Sequence, residues 1–296
     1  MFPLRILLGA AALLVALPLT AQPRSSSTPR TFRSEVILQG YVFGNYFQAP
    51  DDADAESVNA YSLEYRAAWR PWATPTDIYG HLDYINYTTL DGESTISGRL
   101  GVAHAGPKHE YNVFLDRASD RPSFELEETV AADTTMFNAD YAYRITDDWQ
   151  LGAEAMLESQ TFDGGDNGQE NDYSAVGVSV RYRGFSRVFS PSIGYVTGGR
   201  EFNDDSGSYD DEYWWVRVAS SPHPRVYATL RYRDRTREYQ NVARTDDRHQ
   251  WTANVSFRQT ERISWSAYYA RESVDTTRVN RDFTRDVLLL SLGFSF

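Results

Sequence analysis

The 296-residue chain has no cysteine and a single lysine, Lys108, so its other basic side chains are all arginine. Without cysteine no disulfide can staple the fold, and no thiolate is available as a nucleophile or metal ligand. Long apolar runs are missing as well once the first 21 residues are passed. A mean hydropathy of −0.53 with 24% charged residues excludes a helical membrane bundle. Positive charge is scarce: the formal net charge is −12, which argues against a nucleic-acid partner, since that would need a basic stripe. Neither a glycine-rich phosphate loop nor a zinc-spaced ligand cluster is present, so no cofactor or metal is expected.

Aromatic residues are abundant. Twenty tyrosines and seven tryptophans make an unusual complement for so polar a chain. A wall that meets hydrocarbon on one face and water on the other, with aromatic girdles at both interfaces, reconciles the two properties.

Residues 1–21 carry one positive charge, Arg5, before an apolar stretch from Ile6 to Leu19 that is short for a spanning helix. The small-residue site Leu19-Thr20-Ala21 completes the pattern of a secretory signal peptide, expected to be cut after Ala21. Residues 22–32 are rich in Pro, Ser and Arg and read as a flexible lead-in. From residue 33 to 296 the period is two. Trp149, Leu151, Ala153, Ala155 and Leu157 alternate with Gln150, Glu154 and Glu158; Val176, Val178, Val180 and Tyr182 alternate with Ser179 and Arg181. Counting such segments predicts an all-β fold: a transmembrane antiparallel up-and-down β-barrel of about 14 strands, within a range of 12–16. The first segment, VILQGYVFGNYF, is apolar on both parities.

The connections alternate too. Gly106-Pro107-Lys108, Thr146-Asp147-Asp148, Pro222-His223-Pro224 and Thr260-Glu261-Arg262 are short. QAPDDADAESV, DRASDRPSFELEETVA, DGGDNGQEND, NDDSGSYDD and YQNVARTDDR are longer and acidic or polar, and read as solvated loops. Short turns at the periplasmic end and longer loops outside are the arrangement of outer-membrane barrels. In the final segment Leu288, Leu290, Leu292, Phe294 and Phe296 share one parity. An alternating apolar strand with a terminal aromatic resembles the signal read by the outer-membrane barrel assembly machinery.

With the Tyr232-Arg233 strand and the loop Arg244-Thr245-Asp246-Asp247-Arg248, this ending resembles the β-barrel porins. More weakly, it resembles the barrels of surface lipoprotein assembly modifiers and polysaccharide-export porins, which carry a periplasmic helical-repeat domain that this chain has no room for. The resemblance implies residence in a bacterial outer membrane after export to the periplasm, with lipid and lipopolysaccharide as neighbours. The implied activity is a porin-like channel. An export barrel for a polymer or surface protein, or a lipid-active or structural barrel, is the alternative.

If the apolar parity faces lipid, the other faces the lumen. The lumen candidates are then Glu64, Asp83, Asp116, Asp140, Glu154 and Glu158, with Arg66 and Arg99 among them, in the N-terminal half. In the C-terminal half they are Arg181, Arg183, Arg217, Arg231, Arg233, Arg235, Arg237 and Arg258. Arg on a lipid face near mid-bilayer costs about 2–4 kcal/mol, so these groups are expected inside, acids on one wall and arginines on the other. Such a field favours anions beside the arginines. Tyr213, Trp215, Tyr227 and Tyr268 are expected in the lumen, where rings could stack on sugars. Of the histidines, His81 reads as luminal beside Asp83 and His249 lies at an outer rim. With no Ser within two residues of His249, no nucleophile and base are apparent, and no enzymatic activity is expected.

Overall fold

The computed structural model describes residues 32–44, 57–71, 74–88, 93–123, 130–162, 170–185, 188–203, 207–278 and 281–296. The expected signal peptide, the lead-in apart from Phe32, and most of the QAPDDADAESV and DGGDNGQEND loops lie outside these residues. Fourteen strands run through the described residues. The first seven are β1 (Phe32–Gly44), β2 (Val58–Trp69), β3 (Thr76–Tyr87), β4 (Ser94–Ala105), β5 (His109–Ser123), β6 (Val130–Arg144) and β7 (Trp149–Phe162). The rest are β8 (Glu170–Tyr182), β9 (Phe189–Phe202), β10 (Tyr209–His223), β11 (Val226–Tyr239), β12 (Thr245–Arg258), β13 (Ile263–Thr276) and β14 (Phe283–Ser295). Each pairs antiparallel with its sequence neighbours, and β1 pairs with β14 from Glu35↔Ser295 to Gly44↔Asp286. The sheet is a closed barrel.

The period of two becomes sidedness. Along β8 exposed and buried residues alternate strictly from Glu170 to Val178. The exposed set carries the apolar mass: Leu82, Leu100, Val176 and Val178 lie 59–65% open on the outside. Among the described residues nothing covers these side chains, and a soluble sandwich would bury them. Aromatic groups gather where the aliphatic band ends. Trp69, Trp149, Phe257, Trp265 and Phe296 stand exposed at the turn end, where β1 begins and β14 finishes. Toward the loop end, Trp214, Tyr232 and Trp251 make a contiguous exterior patch, with ring centroids 5.3 and 4.7 Å apart. An aliphatic belt between aromatic rings is the exterior of a membrane-spanning barrel.

The strands outlast that belt. At roughly 3.3 Å per residue and ~40° tilt, the 14 residues of β7 rise about 35 Å, some 10 Å more than an apolar band of ~25 Å. Several stretches expected as loops are therefore strand. Asp120–Ser123 belongs to β5, Tyr209–Asp211 to β10 and Thr245–Arg248 to β12. Beyond the bilayer, a paired strand needs no apolar face, so its sequence is as polar as a loop's.

Two local features matter. The register of β5 on β6 shifts between Ala118 and Arg121, and Asp120 there has φ 50°. The bulge reverses the parity, turning Arg121 inward onto Asp116. In β1 the apolar character of both faces has a cause: Tyr41 and Phe43 pack inward on Val58, Ala60 and Tyr87, while Val36 and Leu38 share the outward parity.

Candidate functional site: the charged barrel interior

The interior-facing side chains change in size along the axis. Near the turn end many are small, among them Ser192, Ser256, Ser264, Ser266 and Ser291. Near the loop end they are large and covered, with Tyr209, Asp211, Arg237, Asp246 and Arg248 at 0–6% exposure. The interior is thus filled toward the loops and roomy toward the turns, where a cavity of about 650 Å³ opens.

In the filled region β10 and β11 interlock. The inward residues of β10, Tyr209, Asp211, Tyr213 and Trp215, mesh with Arg237, Arg235, Arg233 and Arg231 of β11. Arg231 sits 4.8 Å over the Trp215 ring and Arg237 sits 4.4 Å over Tyr209. Arg233 and Arg235 flank Tyr213 at 5.5 and 5.7 Å. Guanidinium groups therefore take up ring faces of Tyr213 and Trp215 that could otherwise stack on sugars. Arg235 forms a two-pronged ion pair with Asp211, which also accepts from Tyr173 Oη at 2.7 Å. Glu272 takes Arg285 at 2.5 Å and Arg233 at 3.6 Å. Asp246 takes Arg244 at 2.8 Å and Arg248 at 3.6 Å.

The N-terminal half repeats this scheme. Arg66 chelates Glu64 at 2.6 and 2.8 Å, and His81 Nδ1 stands 3.3 Å from the same carboxylate. Asp116 is held at 3.0 Å by both Arg99 and Arg121. Arg200 reaches Glu158 at 2.7 Å and Tyr209 Oη at 3.1 Å, and also donates to Asn171. Asp83 lies directly opposite Glu64, and Asp140 directly opposite Glu154. Every expected lumen residue from Glu64 to Glu158 and from Arg181 to Arg237 carries the inward parity. Arg258 shares it but stands exposed at the turn-end rim, beside a second cavity of about 360 Å³. Leu288, Leu290, Leu292, Phe294 and Phe296 carry the outward parity.

The expected segregation of acids and arginines onto opposite walls is only partial. Asp211, Asp246 and Glu272 stand within the arginine wall, because guanidinium groups packed this densely need carboxylates to offset their desolvation. These three escaped the sequence reading for two reasons: Asp211 and Asp246 lie in strand ends that look like loops, and Glu272 was passed over within its strand. Arg200, Glu110 and Arg144 were legible by parity alone but went uncounted. Arg121 was hidden by the bulge.

Not every arginine is compensated. Arg217 and Arg231 are directly opposed across β10 and β11. Among the described residues, neither makes an ion pair; Arg217 donates to Tyr227 Oη at 3.0 Å, and the buried Nε of Arg231 has no hydrogen-bond partner.

His249 lies on the outside. Its Nδ1 is 3.2 Å from Asp234 and its Nε2 is 3.9 Å from Asp275. Strand pairing sets Ser273 opposite it, a serine the linear sequence keeps far away. Nδ1 is also 3.3 Å from Tyr232 Oη, so that nitrogen is engaged by Asp234 and Tyr232 rather than by the serine hydroxyl.

This is the fold of an outer-membrane β-barrel. The chain superposes on a loop-deletion form of OmpT, an outer membrane protein of Vibrio cholerae, with a TM-score of 0.51 at 9% identity, covering 90% of this chain and 98% of that one. In-vitro folded OmpT of the same organism, in its trimer form, gives 0.50 at 10% identity over 90% and 98%. At such identities the likeness is one of fold. No protein-family model and no curated protein matches the chain.

Proposed function

We propose that the chain is a channel of the bacterial outer membrane that passes small polar solutes, anions preferentially, through the barrel interior. The opposed Arg217 and Arg231 carry this reading. Like charges in register destabilise a sheet, and among the described residues neither guanidinium has a carboxylate within ion-pair distance, so a passing anion is a natural counterion. The closed wall and apolar exterior support residence in a bilayer. Export by residues 1–21, insertion by the barrel assembly machinery and contact with lipopolysaccharide belong to the same proposal.

The test is conductance in a planar bilayer under a salt gradient. Wild-type protein is expected to give current steps with a reversal potential on the anion side, and R217S/R231S to move it toward cations. A folded, inserted barrel that passes no current would remove the channel. Unchanged selectivity in the double variant would remove the role given to these two arginines.

A further inference from the structure

The turn-end cavity differs from the rest of the interior in its charge balance. Arg144, Arg181, Arg183 and Arg217 border it, with Asp147 at its edge. A single carboxylate, Glu110 of β5, serves three of these arginines: Arg183 at 3.3 Å, and Arg144 and Arg181 each at 3.9 Å. Arg217 has only the Tyr227 hydroxyl. Four guanidinium groups thus face two carboxylates, whereas toward the loop end Asp211, Asp246 and Glu272 each hold one or two arginines closely. Two donors beside the cluster are also unsatisfied. Gln150, 2% exposed, accepts from Arg181 at 3.2 Å, but its Nε2 has no partner, and neither does the buried Nε of Arg144. Ser190 and Ser192 line the wall as well, their hydroxyls donating to the carbonyls of Tyr182 and Arg217.

We infer that this cavity is a binding site for a small oxyanion of two or more charges, of the phosphate class, and that Glu110 occupies the position of such an anion when the site is empty. Guanidinium groups match the oxygens of phosphate with paired hydrogen bonds, and several converging on one point favour a multiply charged ligand over chloride. The contacts at 3.9 Å are too long for hydrogen bonds, so Glu110 neutralises the cluster without saturating it. An incoming dianion would take over these donors and push the Glu110 carboxylate aside. The cavity's 650 Å³ is large enough for an organic phosphate as well as the free ion. The inference names a solute class for the channel proposed above and rests on that reading for its biological meaning, though not for the binding itself.

The experiment is calorimetric titration of the full, detergent-folded chain with inorganic phosphate at low ionic strength, with chloride as control. Wild-type protein is expected to bind phosphate in preference to chloride. R181Q/R217Q should weaken binding about tenfold or more, as loss of charge-assisted hydrogen bonds requires. E110Q should tighten it about threefold or more, because it removes the competing carboxylate and leaves the arginines in place. A Glu110 that merely braced the wall would give the opposite sign, so weaker or unchanged binding in E110Q overturns the proposal. So does a wild-type protein that binds phosphate no better than chloride. Where R181Q/R217Q does not fold, E110Q alone decides. Phosphate binding without bilayer current would keep the site and remove the channel, and current without phosphate binding would do the reverse.

Discussion

Asp211 and Arg235 show what an interior charge does in this barrel. Asp211 is 1% exposed and spans Arg235 and Tyr173, so its loss would leave a guanidinium buried with no carboxylate. Removing one partner of such a pair costs about 3–5 kcal/mol. D211A is therefore expected to unfold at markedly lower urea, in the assay that follows loss of the compact barrel on electrophoresis. R217S should leave that midpoint nearly unchanged, since Arg217 has no ion pair to lose. Equal effects of the two changes would contradict the division into compensated and uncompensated arginines. Backbone strain offers a second check. Asp120 occupies a left-handed conformation, which β-branched residues tolerate poorly, at about 1–2 kcal/mol. D120V should destabilise by about that amount and D120G should not; matching midpoints would mean that the bulge relaxes.

At the scale of strands, the exterior makes the sharper demand. Leu100 on β4 is 65% exposed on the outside, where arginine should cost about 2–4 kcal/mol near mid-bilayer, and alanine much less. Refolding into lipid vesicles measures the difference, and a tolerated L100R would put that face outside the hydrocarbon. The same alternation explains what could be read in advance. Lipid on one side and charged interior on the other leave a clear imprint on β7 and β8, where Glu154, Glu158 and Arg181 share the inward parity. Where the strands rise past the bilayer the imprint fades, and Asp211 and Asp246 look like loop residues. At the bulge a local backbone choice, written only as an aspartate, inverted the parity of Arg121. Pairings between strands were beyond reach of linear spacing. Ser273 meets His249 only through register, as Glu110 meets Arg183 only through curvature of the wall. The His249 arrangement carries its own expectation. With Nδ1 held between Asp234 and the Tyr232 hydroxyl, the protein should release no fatty acid from mixed vesicles of phospholipid and lipopolysaccharide. Release that H249A abolishes would show the imidazole free to serve Ser273.

For the molecule as a whole, the seam between β1 and β14 governs timing. Gln39 donates to Ser291 at 3.3 Å across a sequence separation of 252. Bringing such distant segments together costs about 5 kcal/mol of loop entropy, repaid only when the ring shuts. Until the last strand is available, β1 is paired on its β2 side alone and its other edge has nothing to dock against. Shorter translation products would be left with two raw margins and no way to hide them, as prey for proteases rather than leaky half-pores. Completion is all or nothing.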